Sequence, residues 1–223
     1  MQTAKAIRIR APGDADVLDV VESRVRDPGP DEVLVDVAAA GLNRADLLQR
    51  RGLYAAPEGV VQDVPGLEYA GTVLSVGEDV RAFQAGDRVM GIVAGGAMAT
   101  RLVVHEREML RVPEGLALEE AAAIPEAFMT AWDALFLQAR LRLGENVLLH
   151  AVSSGVGTAA LQLALAAGAH TLGTSRTQNK LDRCLAMGLA AGIVVEQGKF
   201  AERGAQLTGG RGADVVVDTV GAA

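Results

Sequence analysis

From Asn146 onward the sequence alternates short apolar runs with longer stretches of helical period. The order is strand 146–151, helix 155–167, strand 170–174, helix 178–187, strand 192–195, helix 199–207 and strand 214–218. Strands separated by helices run parallel, in a sheet covered by those helices, so βαβαβαβ predicts an α/β domain with a parallel sheet. The run Val147-Leu148-Leu149 is apolar throughout, as a strand buried on both faces requires.

This frame gives meaning to the turn after the first strand, HAVSSGVG (150–157), which leads directly into an alanine-rich helix. In a βαβ unit that turn points backbone N–H groups and the helix dipole at one spot, which suits a diphosphate. Ser154, Gly155, Val156 and Gly157 are the predicted cradle; glycine is expected because a Cβ would hold the diphosphate off the backbone. The GxGxxG pattern is incomplete, with Ser154 in place of one glycine, but a serine hydroxyl can itself bond a phosphate oxygen. A plain packing turn and a methyltransferase-like nucleotide site are the alternatives.

About 20 residues further on, an acidic residue would hold the ribose 2′-hydroxyl of NAD. The sequence there, TLGTSRTQNK (171–180), has no carboxylate; it offers Ser175, Arg176 and Lys180. Cations and a hydroxyl suit a 2′-phosphate, so the cofactor expected is NADP(H) and not NAD(H). The other reading makes Arg176 and Lys180 a solvated helix start.

The chain before this domain has a different character. From Met1 to about Glu114, β-type runs at Lys5–Arg10, Val17–Glu22, Glu32–Ala39, Glu68–Val76, Arg88–Val93 and Thr100–Val104 are separated by turn signals such as DPGPDE and VPEG. They predict an all-β module, a small barrel or a sandwich, with one helical interlude at Arg44–Arg51. A long apolar helix follows through Phe128 to Phe136. The boundary falls near 114–125, dividing the chain into domains 1–120 and 121–223.

Composition narrows the partners. The 223 residues carry a formal charge of −7, and the longest basic run is the pair Arg50-Arg51, so a nucleic-acid partner has no electrostatic footprint. A single cysteine, Cys184, excludes an internal disulfide and any zinc site of several thiolates. With Leu181, Leu185 and Met187 around it on a helix, Cys184 reads as core. No apolar run reaches membrane-spanning length, which leads to the expectation of a cytoplasmic protein without a membrane partner. His105, His150 and His170 have no partners at ligand spacing and read as satisfied or surface histidines.

With these residues placed, the chain resembles the N-terminal two thirds of a zinc-free medium-chain dehydrogenase/reductase, of the quinone oxidoreductase (zeta-crystallin-like) family. The resemblance is carried by AAAGLNRADLLQRRGLY (38–54), VPGLEYAGTVLSVGEDV (64–80), AGDRVMGI (85–92), AAAIPEAFMTAWDAL (121–135) and the loop at 150–157. It implies a GroES-like β-barrel catalytic domain followed by a Rossmann doubly wound parallel sheet, here incomplete, and a homodimer when full length. In zinc-dependent relatives a cysteine stands where this chain has Asn43 and a histidine where it has Leu67. Glu126 alone survives as a ligand type, too few for a catalytic zinc.

The resemblance further implies NADPH-dependent reduction of a quinone or activated enone. Tyr54 is the expected hydrogen-bond donor to the reduced oxygen or cofactor, with an aromatic turn residue as the other reading. Asn43 is expected at the nicotinamide ribose or carboxamide, or as the cap of helix 44–51. Thr130 matches a position that touches the nicotinamide; the other reading is a buried threonine bonding back to its own turn. Glu68 and Asp87 are read as structural hydrogen-bonding carboxylates and Trp132 as packing between the domains. Val195 departs from the family, where a tyrosine is common near the adenosine phosphate, and family members continue beyond the strand at 214–218. An enoyl-thioester reductase and a non-catalytic NADPH-binding protein remain as alternatives.

Overall fold

The computed structural model describes residues 1–195 and 200–221. The chain forms two compact units, Met1–Glu126 and Ala127–Ala223.

The first unit opens with a hairpin of β1 (Gln2–Ile9) and β2 (Leu18–Val25), paired antiparallel. After it come β3 (Glu32–Ala40), α1 (Arg44–Arg50), β4 (Glu68–Val76), β5 (Arg88–Ile92), β6 (Arg101–His105), β7 (Met109–Arg111) and the short α2 (Leu118–Ala121). Strands β3 to β7 form one antiparallel sheet in the order β6-β3-β4-β5-β7. Alternation along β4 explains its two faces. Tyr69 and Val73 enter a core with Val33, Val35 and Val89, while Ala70 faces Met90 and the alanines of α2. The strand β7 is additional to the sequence reading, because its three residues are too few to display an alternation.

The second unit takes in most of α3 (Pro125–Trp132) and continues with β8 (Asn146–Leu149), α4 (Gly155–Ala166), β9 (His170–Ser175), α5 (Gln178–Ala186), β10 (Ala191–Val194), α6 (Ala201–Leu207) and β11 (Val215–Val217). The expected helix 199–207 begins on residue 199, which lies outside the described residues. The strands form a parallel sheet in the order β10-β9-β8-β11. Every residue of β8 is buried, as its continuous apolar run requires. Val147 and Leu149 face a core with Leu161, Leu181 and Cys184, and Leu148 faces the other side with Leu172, Ile193 and Leu207. Helices therefore cover both faces of the sheet.

The long apolar helix expected through Phe136 is not one regular α-helix. At Asp133 it widens into a π-helical segment, Asp133–Gln138, closed by the Ala139 N–H donating to the Ala134 carbonyl at 3.0 Å. A π-turn shifts the register of every later side chain, which a 3.6-residue period cannot display. Among the described residues no helix is long and apolar enough to cross a membrane.

Candidate functional site

In the second unit the strand order reverses beside β8, with β9 on one side and β11, reached after α6, on the other. In open parallel sheets the carboxyl end of the strand at such a reversal is where ligands bind. The turn found there is His150–Ser154. Ala151 adopts φ +48°, and the Ser154 N–H donates to the Ala151 carbonyl at 2.8 Å, which folds the loop back before the helix starts. Thr174 braces it from β9: its Oγ1 lies 3.0 Å from His150 Nδ1 and accepts the Ala151 N–H at 3.3 Å.

Ser154 is the N-cap of α4, its Oγ accepting the Gly157 N–H at 3.0 Å. The Gly155 and Val156 N–H groups, first in the helix, have no intrahelical acceptor and remain for a ligand. The two glycines differ in a way the sequence did not anticipate. A Cβ on Gly155 meets no atom within 4 Å, so the space over it is open. A Cβ on Gly157 would lie 2.4 Å from the Ala151 carbonyl oxygen and 2.8 Å from Val152 backbone atoms. Gly157 is thus required for close packing of the helix on its own loop, and its N–H already serves Ser154.

At the end of β9, Ser175 is buried, while Arg176 and Lys180 of the following turn and α5 are exposed. Among the described residues neither cation makes a salt bridge, although ten such pairs form elsewhere. An open N-terminal cradle on a twelve-residue helix suits the diphosphate of a nicotinamide dinucleotide.

Asn43, Tyr54 and Thr130 present different surroundings. Asn43 stands at the N-cap of α1 but makes no side-chain cap hydrogen bond. Its Nδ2 donates to Glu68 Oε1 at 2.8 Å across 25 residues of sequence. Asp46 performs the local service, accepting the Asn43 N–H at 2.8 Å and the Gly66 N–H at 2.9 Å. Glu68, 2% exposed, also accepts the Glu126 N–H through Oε2 at 2.9 Å. GLNRAD and PGLE are therefore one knot, closed around Gly41, where a Cβ would lie within 2.1 Å of Glu68 Oε1.

Burial raises the Asp46 carboxyl above its ordinary range, against its two N–H donors. Burial also raises Glu126, aided by the charges of Glu68 and Asp46. Among the described residues no group of three His, Cys, Asp or Glu side chains is arranged to hold a metal ion.

Tyr54 lies in a bend, 42% exposed, with no hydrogen bond to its hydroxyl among the described residues. Thr130 is exposed on α3, which corrects the reading of a buried threonine. Trp132 is also half exposed, its ring 4.5 Å from that of Phe136 and not enclosed in a core. Two cavities of the first unit, about 360 and 440 Å³, include neither Asn43 nor Tyr54 in their linings. Sequence reasoning missed Asp46 and the Asn43–Glu68 bond; their signal lies in two motifs 25 residues apart, which no local pattern connects.

Comparison with known proteins places this geometry. Residues 29–114 match the family model of the alcohol dehydrogenase GroES-like domain and residues 155–223 that of zinc-binding dehydrogenases. The quinone oxidoreductase of Pseudomonas syringae pv. tomato DC3000 is 34% identical, with a TM-score of 0.89 over 98% of this chain and 67% of that one. The CurK enoyl reductase is 30% identical, with a TM-score of 0.91 over 98% of this chain and 68% of that one. A mycocerosic acid synthase-like polyketide synthase of Mycobacterium tuberculosis is 37% identical over 214 residues, 96% of this chain and 10% of that protein. The chain belongs to the medium-chain dehydrogenase/reductase family of oxidoreductases, among its quinone oxidoreductase-like members. It spans about a tenth of the length of the curated relatives it first matches and about two thirds of the solved ones.

Proposed function

We propose that this protein is an NADPH-dependent, zinc-independent reductase of quinones or activated enones. The observation that carries the reading is the cradle at Ser154–Val156 on a parallel sheet, followed at the end of β9 by Ser175, Arg176 and Lys180 where an NAD site would present a carboxylate. The Gly155 and Val156 N–H groups and the Ser154 hydroxyl hold the diphosphate. Arg176 and Lys180 neutralise the 2′-phosphate, with Ser175 at the strand end beside them.

The bound dinucleotide supplies a hydride from the nicotinamide C4. Asn43 offers its amide to the nicotinamide ribose or carboxamide, and Thr130, exposed on α3, is a separate candidate for a nicotinamide contact. The Tyr54 hydroxyl, accessible and without a partner among the described residues, donates a hydrogen bond to the oxygen that gains charge during reduction. Asn43 and Leu67 are not zinc-ligand types, which supports hydride transfer to an acceptor already electron-poor. An enoyl-thioester substrate is the second reading, favoured by the similarity to the CurK enoyl reductase and to polyketide synthases.

The test is NADPH oxidation by the purified protein with ortho- and para-quinones in parallel with a crotonyl thioester, after metal analysis. Turnover with quinones alone supports the first reading and turnover with the thioester alone the second. NADPH binding without oxidation by any acceptor rejects both in favour of a non-catalytic binder. Stoichiometric zinc in the active protein rejects zinc independence.

A further inference from the structure

Glu68 is an unusual side chain for the first unit. It is a polar side chain, nearly inaccessible, and anchored by two donors that come from different parts of the chain: Asn43 Nδ2 at 2.8 Å on Oε1 and the Glu126 N–H at 2.9 Å on Oε2. Both Glu68 oxygens accept, and an accepting oxygen needs a donor opposite it, so the atom of Asn43 that faces Oε1 is the nitrogen. The flipped amide would set oxygen against oxygen with no hydrogen between them. The amide oxygen is consequently left on the other side. Asn43 Oδ1 has no hydrogen-bond partner among the described residues, and the Tyr69 hydroxyl is the one unpartnered side-chain polar atom found buried there, so Oδ1 reaches solvent.

We infer that Glu68 is a positioning residue: it turns the Asn43 amide so that Oδ1 faces the ligand as a hydrogen-bond acceptor, for an N–H or O–H group of the dinucleotide. The inference rests on the dinucleotide reading above and adds a polarity to it. Asn43 by itself is ambiguous, since its amide carries both a donor and an acceptor. The carboxylate beneath it removes the ambiguity. The surroundings maintain this arrangement. Asp46 holds the Asn43 backbone through its N–H, and glycine at 41 leaves room for Oε1.

The polarity is reversible by design. In Glu68→Gln the new amide accepts the Glu126 N–H with its oxygen and turns its NH2 toward Asn43, which then flips and presents NH2 to the ligand. In Asn43→Asp two carboxylates confront each other. In the double variant Asn43→Asp/Glu68→Gln the hydrogen bond reforms with donor and acceptor exchanged, and an oxygen again faces the ligand. Tm and calorimetric NADPH affinity are measured for all four proteins.

We expect Glu68→Gln to keep a Tm near wild type while NADPH binding weakens about tenfold, the effect of 1.4 kcal/mol. Asn43→Asp is expected to lose both Tm and affinity, and the double variant to regain both, with NADPH affinity within about threefold of wild type, less than 1.4 kcal/mol. Unchanged NADPH affinity in Glu68→Gln overturns the inference, as does a double variant that regains Tm without affinity. A wild type that binds no NADPH overturns the dinucleotide reading and the ligand half of the inference together. The orienting bond is then judged by Tm alone: Asn43→Asp below the double variant upholds it, and equal values overturn it.

Discussion

Ser154 Oγ accepts the Gly157 N–H at 3.0 Å, so the residue that stands in place of a glycine in the turn after β8 is the cap of the helix behind it. In the proposed reading two functions meet in one hydroxyl: its lone pair satisfies an orphan N–H, and its proton is offered to a phosphate oxygen. Ser154→Ala is expected to lower stability by about 1 kcal/mol and to weaken NADPH binding in addition. Ser154→Gly, which costs a cap only a few tenths of a kcal/mol, separates the two effects. If Ser154→Gly binds NADPH as tightly as wild type, the hydroxyl has no part in the cradle.

Gly157 makes a sharper demand. An added methyl group would sit 2.4 Å from the Ala151 carbonyl oxygen, and the obstructing atoms are backbone, which cannot rotate aside. Gly157→Ala is expected to destabilise the protein by about 1–3 kcal/mol, the range of overpacked sites, as read by chemical denaturation. Gly155→Ala, with open space around its Cβ, is expected to leave stability almost unchanged and to weaken NADPH, because the methyl group enters the volume over the cradle. The reverse pattern would exchange the roles assigned to the two glycines.

The difference between these glycines shows where the sequence stops being legible. Val147-Leu148-Leu149 announces a buried parallel strand, and its neighbours follow by alternation; β8, β9, β10 and β11 all lie where the apolar runs place them. Four antiparallel pairings of the first unit, in contrast, join β3, β4, β5, β6 and β7 over long separations. Composition gives such strands without giving their partners. The candidate residues of each unit divide in the same way. Ser154, Arg176 and Lys180 are readable because the helix start and strand end that present them are local features. The Asn43–Glu68 bond is not, because it depends on which loop the sheet brings beside α1. The π-helical segment at Asp133–Gln138 escapes for another reason: one extra residue per turn leaves no periodic mark in six residues.

Arg176 follows directly after buried Ser175, is exposed, and has no salt-bridge partner among the described residues. A guanidinium so placed can give its donors entirely to a phosphate. Arg176→Ala is expected to weaken NADPH by about 10- to 100-fold, the loss of one or two charge-assisted hydrogen bonds, and to leave NADH affinity nearly constant. Calorimetric titration with both dinucleotides measures this. Equal affinity of the wild type for NADH and NADPH, together with an unaffected variant, would remove the NADP assignment.

Tyr69 carries a different defect. Its ring fills the core of the antiparallel sheet, and its hydroxyl is buried without a hydrogen-bond partner. Burial and the nearby charge of Glu108 raise the phenol above its ordinary range, so it stays protonated and its donor stays unmet. Tyr69→Phe removes the unsatisfied group and keeps the ring. Stability is expected to be unchanged or to rise by about 1 kcal/mol, since an unpaired buried polar group costs about that much or more. A loss of the same size on denaturant unfolding would show that the hydroxyl has a partner in solution.

Glu32 supplies the expected dependence of stability on acid. The Arg26 guanidinium donates to both of its carboxylate oxygens, and the Gly29 N–H adds a donor at 2.7 Å. With Arg26 the larger cause, the carboxyl is held down at about 2, against 4.5 for the free group. A folded-state value below the unfolded one means that the native state binds the proton later, so the contribution is complete above about pH 4.5 and is lost as pH falls toward 2. Arg26 is 59% exposed, which screens the pair and limits its contribution to about 1 kcal/mol. Glu32→Gln is accordingly expected to be less stable than wild type by about that amount at pH 7, with the two unfolding curves converging as pH drops from 4.5 to 2. A deficit that stays constant across that window would show that Glu32 acts by shape and not by charge.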